Sequence, residues 1–508
     1  MKVALVNPPQ VFSRWQIAAG VIPPLSVLYL ASYCKQHGHD VKIVDALVEA
    51  PDQINTLEGV LNYRGLDFNQ IAERIDPDTE VIGISNLFSF AFPVILKMAK
   101  DLKKRHPKAK IILGGAHPSA TMYQTTKFRC FDYVINGEGE ETFLHLLDVL
   151  AGKKKIEELD GVGYHKGKEM IIVPKTKYIE DLDALPFPAR DMIPLESYFR
   201  VREAHGPSQE RWTPILATRG CPFICTFCTS RIWNRKWRAR SAKNIVDEIE
   251  QCVKKYNITE FHFEDENLTL NKPLTLDMCK EIIKRKLKIK WQTPNGIRAS
   301  ATDEEMLDAM KEAGCYHITV APESGSQRVL NEIIKKGQNF PHVERVVKYA
   351  VKKGIKVAAY FILGLPGEKV EDMEETIKYA QRLAKGGLDE VAFSLFIPLP
   401  GSDLYTLLEQ QGKTPKNWSK CISIGDLSVA KSWSDYITDE QLFKYRKKAY
   451  LKFHATKFFY HPQKVLWSIM NILRDRQETK TERAVSTLLK RFIGVKSSSS
   501  MKVHPVEN

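Results

Sequence analysis

The sequence has no apolar run long enough to cross a bilayer without meeting a charge. It therefore does not read as a membrane-spanning chain. It has no internal repeat, and no low-complexity tract apart from "SSSS" near an end expected to be disordered. It lacks a disulfide framework, because six of its nine cysteines are scattered, at Cys34, Cys130, Cys252, Cys279, Cys315 and Cys421. A reducing compartment fits, and there clustered cysteines more often bind metal than pair with each other. The opening "MKVALVNPPQ" meets Pro8 and Pro9 before a signal-peptide apolar core could form, so a cytoplasmic location is expected. The body of the chain also lacks a strong charge bias. Of the net +14, an excess of +11 falls between Gln441 and Lys496, where 14 Lys and Arg meet 3 Asp and Glu. That distribution argues against nucleic acid as a whole-protein partner.

At 508 residues, with 43% hydrophobic and 27% charged, the chain is globular and long enough for two or three domains. Strands and helices alternate over the first 150 residues. The strands are "KVALVNPP", "DVKIVDA", "EVIGISNLF", "KIILGGAH" and the start of "DYVINGEGEETF". This order predicts a doubly wound parallel sheet over 1–150. Ligands of such sheets sit beyond the carboxyl ends of the strands. Here those ends are "NPP", "SNLF", "GGAHPS" and "NGEGE", small and polar enough to let a ligand near the backbone, with Ser85, Gly114, Gly115, Gly137 and Glu138 as candidates. Residues 151–212 read as a connector with a hairpin and a proline-rich extended run. From 213 to 430 six further strand–helix units follow, enough for a partial barrel, with functional groups expected at the carboxyl ends of its strands. Residues 431–508 form a basic helical region.

Directly after the first barrel strand comes "ATRGCPFICTFCTSRIW", with Cys221, Cys225 and Cys228 spaced C-x3-C-x2-C. A structural zinc site normally takes four protein ligands, and this loop offers three thiols and no histidine. Three thiolates on a cluster of four irons leave one iron open to another ligand. The spacing, with Phe227 before the last cysteine, resembles the signature of radical S-adenosylmethionine (SAM) enzymes. The resemblance covers roughly Thr213 to Gly412. It implies a 4Fe-4S cluster whose open iron chelates SAM, an external electron donor of the flavodoxin or ferredoxin type, and cleavage of SAM to methionine and a 5'-deoxyadenosyl radical. It further implies that "FEDENLT" sets Asp265, Glu266 and Asn267 near the SAM amino group, and that "NGIRAS" sets Arg298 near the carboxylate. By the same resemblance "APESGS" brings Glu323 and Ser324 to the ribose, and "ILGLPGE" brings the backbone around Gly364 to the adenine. Any one strand-end acid is as readily an ordinary helix cap.

A doubly wound domain ahead of such a barrel resembles the cobalamin-binding group of this family. The D-x-H-x-x-G motif that supplies a histidine to cobalt is lacking; His37 and His39 lie at a helix end, and His117 stands outside any such motif. Cobalamin is then an expected cofactor with its lower ligand open. Two reactions are implied: methylation of an unactivated carbon of a small molecule or lipid, and an oxidative cyclisation of the anaerobic magnesium-protoporphyrin monomethyl ester cyclase type. A cobalamin or iron–sulfur sensor is the rival without catalysis. In the tail, Val465, Leu466, Ile469, Met470, Ile472 and Leu473 form an apolar helical stripe among basic residues. Such a helix can lie on an anionic membrane surface, making the protein peripheral at the inner face. It fits equally well as a helix packed on the barrel with a solvated basic face.

Overall fold

The apolar runs of the first half become strands because each is short, bounded by Gly, Pro or Asn, and buried on both faces. In a computed structural model, residues 1–12, 20–57, 61–208, 210–415, 430–492 and 502–503 are described. Cys421 and most of the end expected to be disordered lie outside them. Strands β1 (Lys2–Asn7), β2 (Asp40–Asp45), β3 (Val81–Ser85), β4 (Lys110–Gly114) and β5 (Tyr133–Ile135) are parallel. The expected hairpin, β6 (Val162–Lys166) and β7 (Glu169–Val173), extends the sheet antiparallel, in the order β7-β6-β5-β4-β3-β1-β2. Helix α1 (Leu25–Gln36) buries Leu28 and Ala31 on one face. Helix α2 (Phe92–Arg105) buries Ile95 and Met98 on the other. Helix α3 (Glu140–Leu150) joins the α1 side through Phe143 and Leu147. The sheet is thus doubly wound. A small antiparallel group at Gln10–Phe12, Gln53–Leu57 and Leu61–Arg64 adds to it. These strands were not expected, being too short for a readable alternation.

The second half forms the partial barrel. Strands β8 (Trp212–Ile215), β9 (Glu260–Phe263), β10 (Lys290–Ile297), β11 (Cys315–Glu323), β12 (Lys356–Leu363) and β13 (Glu390–Leu395) are parallel and pair in sequence order. Helices α4 (Ala242–Tyr256), α5 (Lys272–Lys284), α6 (Glu304–Glu312), α7 (Phe340–Lys352) and α8 (Val370–Lys385) lie outside. The core between the two layers holds Ile249, Phe261, Trp291, Val346, Phe361 and Ile377. Helix α9 (Asp403–Gln410) follows the last strand.

Three further helices follow: α10 (Asp439–Tyr460), α11 (Pro462–Leu473) and α12 (Lys480–Phe492). The capping box of Thr438 and Gln441 starts α10. Its Leu442, Ala449 and Phe453 enter the barrel core. The start of α12 meets the amino ends of the barrel strands, where the Lys480 backbone N–H donates to Glu390 Oε2 at 2.6 Å. Helix α10 is therefore packed on the barrel, whereas the apolar stripe Val465–Leu473 lies on α11.

Candidate functional site

The cysteine loop is held at its base by a two-residue ladder, Thr218–Arg219 against Arg238–Ala239. Gly220 must be glycine. Its φ is +82°, and a Cβ there would meet the Lys236 carbonyl oxygen at 2.0 Å. Beyond it, Thr226 fixes the loop between the second and third cysteines. Its N–H donates to the Ile334 carbonyl at 3.0 Å and its hydroxyl to that of Ile333 at 2.6 Å. Phe227 packs beside Leu330, Leu365, Phe396 and Leu404. Phe227 thus acts as the loop's apolar anchor.

Cys221, Cys225 and Cys228 carry free thiols and are half-buried. Burial raises all three pKa values, that of Cys225 to about 11 against the opposing charge of Lys336. The Ser230 N–H donates to Cys228 Sγ at 3.5 Å. Among the described residues no three His, Cys, Asp or Glu side chains close around a point the size of one ion. Yet the three sulfurs stand close enough for Cys228 to act electrostatically on both others. That spread suits a cluster, in which each thiolate meets a different iron. Because thiolates are the ligands, loading the site must release protons.

Around this loop the strand-end residues divide. Arg298 lies with its guanidinium 3.6 Å above the Phe223 ring and donates to the Lys336 carbonyl at 2.6 Å. Burial opposes its charge while Cys225 and Cys221 favour it. Glu323 ends β11 at φ +67°, a left-handed conformation that costs a glutamate roughly 1–3 kcal/mol. Lys336 pairs with its Oε1 at 2.7 Å. Glu266 is exposed on the loop, yet partial desolvation by the protein around it raises its pKa, opposed by Trp233 Nε1, which donates to it at 3.0 Å. These three reach the surroundings of the cysteines.

The others are occupied elsewhere. The Asp265 carboxylate turns into the fold and accepts from the Ala217 and Thr218 N–H groups and from the Thr218 hydroxyl. Asn267 is buried; its carbonyl accepts from Trp237 Nε1 at 3.4 Å, while its side-chain oxygen has no partner. The Ser324 hydroxyl faces Thr376 and accepts from the Ser326 N–H. Gly364, at φ +81°, donates to the buried Glu368 carboxylate at 2.6 Å.

Two site neighbours carry no motif signal in the sequence: Lys336, in a "KKG" context that reads as a helix end, and Trp233. Arg238 pairs with Glu138 at 2.8 Å, and Arg240 pairs with Glu248, both buried. Arg190 of the connector reaches the same Glu248 at 2.7 Å.

In the N-terminal domain the carboxyl ends of the strands turn toward this loop. A Cβ on Gly401, at the barrel rim, would meet Ala120 at 3.1 Å and Ile232 at 3.5 Å, so the turn after β4 touches the helical turn that follows the cysteines. Glu138 and Glu140 extend from the end of β5. Arg219, two residues before Cys221, donates to Glu138 at 3.2 Å and to Glu140 at 2.7 Å. Burial alone would raise the pKa of Glu138, but Arg238 and Arg219 hold it below the usual carboxylate range. Glu138 therefore joins the two halves, with no oxygen left free for a cofactor.

The same edge has the features of a cradle. Gly114 has open space where a Cβ would stand, whereas Gly115, at φ +112°, would drive one to 2.4 Å from the Asn86 carbonyl oxygen. The Gly137 N–H donates to Ser119 Oγ at 2.8 Å. Ser85 ends β3 beside Gly114. Next to it the Asn86 side chain is fully buried with neither polar atom partnered, and Leu87 and Phe88 are exposed. An orphaned amide, an open glycine and an apolar shelf fit a broad ligand with amide groups at its rim, as cobalamin is. His117 offers it nothing. Its Nδ1 meets Ser89 Oγ at 2.9 Å and its Nε2 meets Thr121 Oγ1 at 3.3 Å, and burial pushes its pKa down to about 4. His37 and His39 precede β2, at the opposite end of the sheet.

The sequence matches the Radical SAM superfamily over residues 215–398 and the B12 binding domain over residues 17–147. It is 31% identical to an uncharacterized methyltransferase of Pyrococcus horikoshii, covering 89% of this chain and 92% of that one. It is 29% identical to the anaerobic magnesium-protoporphyrin IX monomethyl ester cyclase of Rubrivivax gelatinosus, covering 80% of this chain and 69% of that one. Its fold is similar to that of the radical S-adenosylmethionine methyltransferase TsrM of Kitasatospora setae, with cobalamin and a 4Fe-4S cluster bound. The TM-score is 0.63 at 17% identity, over 81% of this chain and 75% of that one.

Proposed function

The chain belongs to the cobalamin-binding group of the radical SAM superfamily, and from that premise we propose that it methylates an unactivated carbon of a small-molecule or lipid substrate. It is an enzyme whose cofactors are a 4Fe-4S cluster, SAM and cobalamin. When bound, these supply an electron, a hydrogen-abstracting radical and a transferable methyl group. The chain's own residues hold and orient them. Cys221, Cys225 and Cys228 hold the cluster. Arg298, stacked on Phe223 and facing two of the thiols, compensates negative charge there. Glu266 and the Glu323–Lys336 pair are offered to the polar groups of SAM. The main chain at Ser85, Gly114, Gly115 and Gly137, with Asn86, is offered to cobalamin. Four segments divide these tasks: 1–150, the connector 151–212, the barrel 213–430 and the tail 431–508.

The observation that carries this reading is the facing of two strand-end surfaces, one bearing three thiols and the other a backbone cradle, bound together by Glu138, Glu140 and Arg219. A methyl donor and a radical source must both reach one substrate carbon, and facing surfaces allow that. The likeness to the cyclase supports oxidative ring closure as the second reading. The substrate's source is also part of the proposal: the exposed apolar face of the tail favours work at a membrane, as a peripheral protein and with a lipid substrate.

The test is anaerobic reconstitution with cobalamin, SAM and a strong reductant, with nucleoside products followed by mass spectrometry. Cobalamin-dependent S-adenosylhomocysteine beside 5'-deoxyadenosine supports the methylase. 5'-Deoxyadenosine alone moves the assignment to the oxidative reaction. Cys225→Ala should remove both products together with the iron, and retained SAM cleavage in that variant would sink the cluster assignment.

A further inference from the structure

The tail helices are unevenly anchored. The inner face of α10 is fixed by Phe453 in the core and by buried Lys457, which donates to the Asp389 carbonyl at 2.6 Å. Among the described residues its outer face has no such cover, and α11 is held through Lys464, which donates to the Gly387 carbonyl at 2.6 Å and to Asp389 Oδ1 at 2.8 Å, while its apolar face stays open. Leu451, Phe458 and Phe459 are 71%, 61% and 78% exposed, and Leu466 and Leu473 on α11 are 59% and 81% exposed. On α11 Asn471 is the one buried residue. Soluble surfaces rarely leave so many large apolar side chains together, and where they do the patch has a partner. No helix among the described residues is long and apolar enough to cross a membrane.

The surroundings say which partner. Lys447, Lys452, Arg474 and Arg476 are exposed beside the patch, within the stretch that carries the +11 excess. Tyr460 and Trp467 stand among the leucines, apolar rings with polar tips, as at a membrane interface. A second copy of the chain would set one basic surface against another. A phosphate-bearing surface reverses that repulsion, and each Lys or Arg near it strengthens attachment roughly fivefold.

We propose that the outer face of α10 and the apolar face of α11 form a docking surface for an anionic phospholipid bilayer. The helices lie in the interface without spanning it, with Leu451, Phe459, Leu466 and Leu473 in the acyl boundary and the flanking cations among the headgroups. This deepens the membrane and lipid part of the proposed function; its failure would remove that part and leave the cobalamin-dependent methylase reading intact.

The test is co-sedimentation of the full-length protein with vesicles of phosphatidylcholine alone or mixed with phosphatidylglycerol. Binding should require the anionic lipid and weaken as salt rises. The double variant Phe459→Glu/Leu466→Glu changes only exposed positions and should keep the thermal transition of the parent. It should lower vesicle affinity by at least about a hundredfold, the loss of two apolar anchors. No binding to mixed vesicles overturns the proposal, and so does unchanged binding by the variant. A concentration-dependent dimer that the variant converts to monomer, without vesicle binding, assigns the surface to a second copy instead.

Discussion

The rim of the barrel and the edge of the N-terminal sheet are both strand ends, and they build their sites from opposite materials. At the rim the site consists of side chains: three thiols, a stacked guanidinium, a left-handed glutamate with its lysine. At the edge it consists of main chain laid bare, with Gly114 open, Gly115 forced and a single orphaned amide at Asn86. A small multiply charged group such as a cluster needs covalent ligands and compensating charge. A broad ring with its own hydrogen-bonding rim needs room and a shelf. Glu138, a candidate for the second site, instead binds it to the first together with Glu140.

The comparison is broken most severely at Gly220. Gly220→Ala places a methyl group within 2.0 Å of the Lys236 carbonyl, in a backbone conformation alanine resists. The cysteine loop then cannot close. Iron and sulfide content after reconstitution should fall to background while the cooperative thermal transition is kept. Full iron content would show that the loop tolerates another path.

Next comes the link between the two surfaces. Glu138→Gln leaves Arg219 and Arg238 buried with weakened partners, at a cost of roughly 3–5 kcal/mol. Thermal unfolding should begin lower, and limited proteolysis should reach the connector sooner than in the parent. The sign with pH is fixed. A carboxylate held below its ordinary pKa contributes stability above that pKa, and this is lost as pH falls through the folded value. The variant should therefore differ from the parent at neutral pH and converge with it in acid.

The cradle is tested more gently. Gly114→Ala meets nothing within 4 Å, so the free protein should unfold as the parent does. If cobalamin rests on this backbone, its affinity should drop at least about tenfold, ~1.4 kcal/mol, in an optical titration. An unchanged affinity would move the cofactor off the end of β4.

How far the sequence was readable follows the same division. Alternation of apolar runs with amphipathic ones announced both sheets, since period and length survive in one dimension. The thiol trio was plain because spacing alone carries it. The neighbours Asp265 and Glu266 were not separable. Both follow β9, and only the folded loop sends one inward to Thr218 and the other toward Trp233. Lys336 was invisible, because its partner Glu323 is reached only when the segment after β11 doubles back. The tail was half readable. Its apolar stripe, Val465 to Leu473, stood out and lies wholly on α11, where its leucines stay exposed; α10, rich in Lys and Arg, buries Leu442, Ala449 and Phe453 in the barrel without a readable stripe.

The smallest effect is expected at Glu368, where a strand-end acid serves neither surface. Its carboxyl is fully buried below the turn at Gly364, accepting from the Gly364 and Leu365 N–H groups at 2.6 and 3.1 Å. Burial nonetheless pushes its pKa up to about 8, those two bonds opposing. A carboxyl raised on folding is neutral at no penalty below its unfolded pKa. Stability then declines as pH rises from the ordinary glutamate range toward 8, because the unfolded chain ionises first. Glu368→Gln keeps the shape and the acceptor oxygen but cannot ionise. Its thermal midpoint should lie close to the parent's at pH 5 and above it at pH 8. A variant less stable than the parent at both values would mean that the carboxylate is charged in the folded protein and that the two N–H groups outweigh burial.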